Sequence, residues 1–326
     1  MSYFHSQSAL QRYLSSTLIQ EWSNLSETHN LTPNPVMKQN LAKLLLDALD
    51  SPGPPVYTET QAGQSVLQNE CEALLMTLAK VGKLQAKDLP SLPKPFTLDF
   101  ASQLIASLSQ LTLKMSKINA AKAQPRITEQ QSKTINLLAF CTTRKERHDI
   151  QYFSGIANAC IALKAIPIKL NPLIKSLMNS IKFEENSTFQ QRSAEAMAHF
   201  LFLCTSSPTN AKASPSDKIL KNLCAFLCQD TSITPPFVPT DPRPIMSLPP
   251  TDQSASKGKN LQQLQPDLEF AKNKLVRQGA EMCFTALATI FGESLLIQLP
   301  KLWSYMSEAL LLLPASGMMY IFRRLS

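Results

Sequence analysis

The sequence predicts an all-α chain built as a stack of helix pairs, interrupted by one proline-rich loop. Three observations carry that prediction. Apolar residues recur every three or four positions along most of the chain, the spacing of a one-sided helix. Only 8 of the 326 residues are glycine, whereas Leu, Ala, Lys, Gln and Ser, most of which lose little freedom in a helix, are abundant. Proline-containing breaks separate the periodic runs, as expected of helices joined by turns. Length alone favours about two domains. A stack of units that each touch only their neighbours escapes that rule, because it grows without a single core.

The elements follow in order. Residues 6–29 place Leu10, Leu14, Leu18, Trp22 and Leu25 at helical spacing, and "LTPNP" ends the run. Residues 35–49 resume with Val36, Leu41, Leu44, Leu45 and Leu49 before "DSPGPP". A longer helix is expected over 59–83, then a break at "LPSLPKP", then a helix over 98–121 marked by Phe100, Leu104, Leu108, Leu111, Met115 and Ile118. "QPRIT" reads as the next break, followed by a pair over 128–142 and 147–164.

Residues 171–204 give the clearest unit. Asn171 is a suitable N-cap and Pro172 suits the first helical position, where its missing N–H costs nothing. Leu173, Ile174, Leu177, Met178 and Ile181 form one stripe. Ser187 and Gln190 have the spacing of a capping box that opens a second helix. That helix is apolar over a broad arc, from Phe189 through Ala194, Ala196, Met197, Phe200, Leu201 and Leu203, which predicts packing against more than one neighbour. Residues 216–228 add a helix. Seven prolines then fall between 233 and 250, so 233–260 is expected to be an exposed flexible loop, serving as a spacer or as a recognition segment. A helix over 267–291, closed by Gly292, and a partner over 299–313 starting at Pro300 complete the series. "VRQGAEMCFTAL" (276–287) repeats the small-residue character of Arg192–Ala196, and its Gly279 and Ala280 let backbones approach closely. Helix, short break, helix at a loose 40–47-residue period is the pattern of HEAT and armadillo repeats. The expected organisation is therefore a HEAT/armadillo-like helical solenoid: an array over 1–232, the proline-rich loop over 233–260, a continuing pair over 261–313 and an atypical tail over 314–326.

Composition narrows the function. Hydrophobic residues make up 44% of the chain and the mean hydropathy is -0.08, the balance of a soluble folding chain. Net charge is +8, spread along the sequence, with its densest cluster at "TRKERH" (143–148). That permits an acidic partner or nucleic acid without demanding either, and a solvated helix end is the plainer reading. The seven cysteines are odd in number and irregular in spacing, which predicts reduced core thiols in an intracellular protein. Cys224 and Cys228 share a helix face, yet no further pair or histidine stands at zinc-site spacing, so no metal is expected. The first residues lack a secretory pattern, and the longest apolar runs fall short of a membrane span. No phosphate-binding loop or G-x-S-x-G elbow occurs. His5, His29, His148 and His199 are scattered. Glu184 and Glu185 read as solvated acids in a turn. No catalytic, cofactor-binding or metal-ligating residue is singled out, and the partner-binding residues stay unassigned.

Three stretches in fixed order, "IPIKLNPLIKSLMNSIKFEENSTFQQRSAEAMAHFLFLC" (166–204), "SDKILKNLCAFLCQDTSITPP" (216–236) and "VRQGAEMCFTALATIFGESLLIQLPKLW" (276–303), resemble the central HEAT-repeat region of the TATA-box-binding-protein-associated Swi/Snf-type ATPases, the modifier-of-transcription or B-TFIID-associated-factor family. The resemblance spans roughly 155–303. It implies a HEAT array that grips TATA-binding protein, and a C-terminal helicase-like ATPase that uses ATP to strip that protein from promoter DNA. It also implies that the gripping residues lie in earlier repeats. ATPase motifs are absent from this chain, so no enzymatic residue and no ATP site is carried over, and the chain reads as a fragment or a truncated gene model. The resulting expectation is a non-enzymatic, nuclear scaffold segment in transcription regulation. Its partner is TATA-binding protein, with promoter DNA reached indirectly and with no membrane or small-molecule substrate. A general cytosolic HEAT-type adaptor for cargo or trafficking is the alternative, and direct DNA binding through basic loops a weaker one.

Overall fold

A computed structural model describes residues 2–29, 34–51, 53, 54, 56–206, 215–229 and 264–311. The proline-rich segment 233–260 and the tail 314–326 lie outside the described residues. Within them the fold is the expected all-α class, an array of packed helices of the solenoid type, and no strand occurs among the described residues. The helices are α1 (Ala9–Thr28), α2 (Pro35–Asp50), α3 (Thr58–Lys80), α4 (Leu98–Leu113), α5 (Lys117–Ala162), α6 (Leu170–Phe183), α7 (Ser187–Ser206), α8 (Pro215–Leu227), α9 (Leu264–Phe291), the single turn α10 (Leu295–Gln298) and α11 (Lys301–Leu311). The chain divides into two compact units, residues 1–22 with 47–156, and residues 23–46 with 157–326.

The first unit is built on α3, α4 and the first part of α5. Leu67, Leu74 and Leu78 of α3, Leu104, Leu108 and Leu111 of α4, and Ala123, Ile127 and Cys141 of α5 form one buried cluster. Each enclosed leucine contributes about 1.5–3 kcal/mol relative to exposure. Thr97 caps α4 by accepting the Phe100 N–H at 3.2 Å.

Two expectations change here. The break expected at "QPRIT" is absent: α4 stops at Leu113, and α5 runs unbroken through Pro125. Ser116 opens α5 instead, its Oγ accepting the Asn119 N–H at 3.3 Å. Pro125 is exposed, as is Ala121, whose carbonyl loses its helical partner there, while Ala123 and Ile127 stay buried on the turns around it. Packing therefore outweighs one lost hydrogen bond. The "TRKERH" cluster accordingly lies inside a long helix rather than at a helix end.

The second change concerns α1. Its expected stripe faces outward, with Leu10, Leu14, Leu18 and Leu25 exposed, and the face that packs carries Ala9, Tyr13, Ser16, Ile19, Ser23 and Ser26. Small side chains explain the choice. A β-carbon on Gly155 of α5 would meet the Tyr13 ring at 3.0 Å and Ser16 at 3.4 Å, so α1 and α5 approach at a distance that leucines would not allow. Glu59 of α3 then holds the start of α1, accepting from Ser8 Oγ at 2.5 Å and from the N–H groups of Ala9 and Leu10 at 3.1 and 3.2 Å. A carboxylate is well placed at the positive end of a helix.

In the second unit α9 is the hub and packs on α6, α7 and α8, while α8 also packs on α11. Leu173, Leu177 and Ile181 of α6, Met197, Phe200 and Leu201 of α7, and Ala280, Cys283 and Leu287 of α9 are enclosed completely. Gly292 closes α9 in the left-handed region, φ +53°, as expected from the sequence. The segment Glu269–Gln298 is long and apolar enough by composition to cross a membrane, contrary to the sequence estimate. Its apolar residues Ala280, Cys283 and Leu287 lie in the protein core.

Candidate partner-binding surfaces

The α6–α7–α9 packing rests on a buried polar node. Gln190 of α7 is fully enclosed, and its Nε2 donates to the Ile181 carbonyl of α6 at 2.8 Å and the Leu275 carbonyl of α9 at 3.0 Å. Ile181 belongs to the last turn of α6, whose carbonyls have no partner within the helix. Beside it, Ser193 Oγ donates to Ser180 Oγ at 2.8 Å. Gly279 of α9 passes against the same carbonyl, where a β-carbon would fall 2.0 Å from the Ile181 oxygen. The close backbone approach expected from "VRQGAEMCFTAL" is thus present. Arg277, almost wholly buried, links α9 to α8: its Nη1 donates to the Leu227 carbonyl at 2.9 Å and its Nε to Glu281 Oε1 at 3.0 Å.

This node replaces the capping box. Asn186 caps α7, its Oδ1 accepting the Thr188 and Phe189 N–H groups at 3.0 and 3.3 Å, which leaves Gln190 to reach sideways. Helix α6 starts at Leu170, one residue before the expected cap Asn171, so Pro172 occupies its first turn. Glu184, expected in water, is buried, and its Oε1 accepts the Asn186 N–H at 3.0 Å in the α6–α7 turn.

The other sequence candidates are structural. Burial pushes the Cys71 thiol up to about 11 and those of Cys160, Cys224 and Cys283 up to about 12. Such thiols are poor nucleophiles and poor metal ligands. Cys224 is buried and Cys228 half-buried. Among the described residues no group of three or more potential ligands gathers. His148 sits 5.5 Å from the Tyr57 ring, and burial lowers its pKa. Within "TRKERH", Lys145 pairs with Asp149 at 2.6 Å and Arg144 lies over the Phe140 ring.

What remains for recognition is shaped surface. One groove, about 560 Å³, runs between α7 and α9 and is walled by Gln191, Glu195 and His199 on one side and Gln278, Glu281 and Thr285 on the other. A second, about 440 Å³, lies where Lys182 and Phe183 of α6 face Lys272 and Val276 of α9. A third, about 340 Å³, belongs to the first unit and is lined by Gln61, Gln64, Pro95 and Phe96. The sequence did not reveal the first groove, because its walls come from two segments far apart in the chain.

Comparison with known proteins places the chain. The family model described as "Domain of unknown function (DUF3535)" matches residues 1–305. The chain is 29% identical over 317 residues to the TATA-binding protein-associated factor mot1 of Schizosaccharomyces pombe, a match covering 89% of this chain and 16% of the relative. It is 30% identical over 276 residues to MOT1 of Saccharomyces cerevisiae, covering 78% and 14% respectively. It is 28% identical over 333 residues to BTAF1 of Arabidopsis thaliana, covering 94% and 16%. The chain thus spans about one sixth of the length of these relatives, and the similarity reaches well before residue 155, where the sequence reading began it. With the family model covering nearly its whole length, the chain belongs to the DUF3535 family and corresponds to a segment of the Mot1/BTAF1 TATA-binding protein-associated factors.

Proposed function

We propose that this chain is a non-catalytic helical-repeat scaffold segment of a nuclear, TATA-binding-protein-associated ATPase that regulates transcription by removing TATA-binding protein from DNA. The observation that carries the reading is the match itself: one family model over residues 1–305, and relatives named as TATA-binding protein-associated factors in two fungi and a plant. In this reading the chain supports the grip on TATA-binding protein and transmits motion along the array, with promoter DNA reached through the bound protein. The physical basis is nearest-neighbour packing, which lets displacement of one helix pair reach the next. Gln190, Gly279 and Arg277 make the α6–α9 and α8–α9 contacts stiff, because each joins a side chain or bare backbone of one helix to the carbonyl of another. The helical array is read as continuing across the proline-rich segment 233–260.

The test is a deletion in a full-length relative. The S. pombe factor is prepared with and without the segment matched by this chain, and capture of TATA-binding protein and its ATP-driven release from promoter DNA are measured. Impaired capture or impaired release is expected. Unchanged capture together with unchanged release would sink the reading.

A further inference from the structure

The α7–α9 groove has a chemistry of its own. Its lining includes two carboxylates, Glu195 and Glu281, and no lysine or arginine, in a chain whose net charge is +8. Both carboxylates are held in place. Gln191 Nε2 donates to Glu195 Oε1 at 2.9 Å, and Arg277 holds Glu281 from the protein interior at 3.0 Å, with a side chain only 8% exposed. Met282, Ala286 and Ile290, spaced four residues apart on one face of α9, add an apolar row to the same lining. The facing α7 row, from Gln191 to His199, extends over about 12 Å, roughly two helical turns.

We propose that this groove docks a cationic amphipathic helix of a partner protein. Lysine or arginine side chains of that helix pair with Glu195 and Glu281, and its apolar residues reach Met282, Ala286 and Ile290. A carboxylate on each wall and an apolar row along α9, over this length, match helix-in-groove recognition. Nucleic acid is the wrong occupant, because no lysine or arginine lines the groove to meet a phosphate. The proposal concerns the chemistry of the occupant and stands apart from the identity of the partner named above, so either can fail alone.

The probes are two synthetic helical peptides. One carries leucine and lysine on opposite faces, and its twin carries glutamate in place of lysine. Each is titrated into the chain and followed by fluorescence anisotropy, and the site is mapped by amide hydrogen exchange. The lysine peptide is expected to bind and to protect residues 191–199 and 278–290, and the glutamate twin to show no binding. Glu195→Lys with Thr285→Lys, both at exposed positions, should weaken binding about tenfold or more at an unchanged melting temperature. If that double variant does not fold, Glu195→Gln is expected to give a smaller loss in the same direction. Equal affinity in the variant, equal binding of the glutamate twin, protection elsewhere, or no binding of the lysine peptide overturns the proposal.

Discussion

Gly279 of α9 lies directly against the backbone carbonyl of Ile181 of α6, so that a β-carbon at 279 would fall 2.0 Å from that oxygen and 2.7 Å from the Gln190 amide nitrogen. The obstacle is backbone, and it yields only if the two helices separate. Gly279→Ala is therefore expected to destabilise the chain by about 3 kcal/mol or more, at the upper end of overpacking costs. Gly63 of α3 is the matched control: its added carbon would meet only the Cys141 and Phe140 side chains at 3.4 Å or more. Gly63→Ala should be neutral or stabilising by up to about 1 kcal/mol. Urea denaturation of both variants checks the pair.

Arg277 is the second link of the same hub. A cation at the last carbonyl of α8 satisfies a group that the helix cannot satisfy itself and faces the negative helix end. Replacing it by methionine, Arg277→Met, removes the hydrogen bonds that Arg277 gives to the Leu227 carbonyl and to Glu281 and should cost about 2–3 kcal/mol. Arg277→Lys should recover only part, because an ammonium does not reproduce the fork that reaches both acceptors. Thermal melting of the two variants measures the difference.

Glu59 predicts an acid-sensitive start of α1. Burial opposes its ionisation, but the donors from Ser8, Leu10 and Ala9 outweigh that effect and bring its pKa from 4.5 down to about 2. A depressed carboxyl stabilises the fold above its unfolded value and loses that contribution as pH falls through the folded one. The contribution should therefore be present at neutral pH and fade between about 4.5 and about 2. Glu59→Gln keeps an acceptor oxygen but no charge, so its denaturation midpoint should change less across that window than that of the native chain.

The thiols predict an order of reactivity. Cys71, Cys141, Cys160, Cys224 and Cys283 are buried, while Cys204 and Cys228 are half-buried. Burial raises the pKa of each of the seven. Under native conditions a small alkylating reagent should modify Cys204 and Cys228 first and reach the other five only on unfolding. Peptide mass spectrometry over a time course reads that order directly.

The parts of the fold legible in the sequence are those where local signals and packing agree. Helices α6 and α7 carry strong apolar periodicity, and the glycine and alanine of "VRQGAEMCFTAL" lie where backbones touch. The failures have physical causes. Pro125 reads locally as a stop, yet Ala123 and Ile127 hold the turns around it in the core. Helix α1 offers two apolar faces, and the serine-lined one packs more closely than the leucine-lined one. Gln190 has the spacing of a capping residue, but Asn186 takes that role and frees it to bridge two helices. The α7–α9 groove left no local trace, because Glu195 and Glu281 come together only through the packing of distant helices.

The most direct test of the central claim, that a stiff α6–α7–α9 packing serves a TATA-binding-protein-associated machine, combines structure and activity. The S. pombe factor is prepared with its matched segment replaced by this chain, with and without Gly279→Ala, and the rate of ATP-driven release of TATA-binding protein from promoter DNA is measured. The replacement is expected to support release, and Gly279→Ala to slow it while capture of TATA-binding protein persists. A chimera that neither captures nor releases, or a release rate untouched by Gly279→Ala despite a lowered melting temperature, would contradict it.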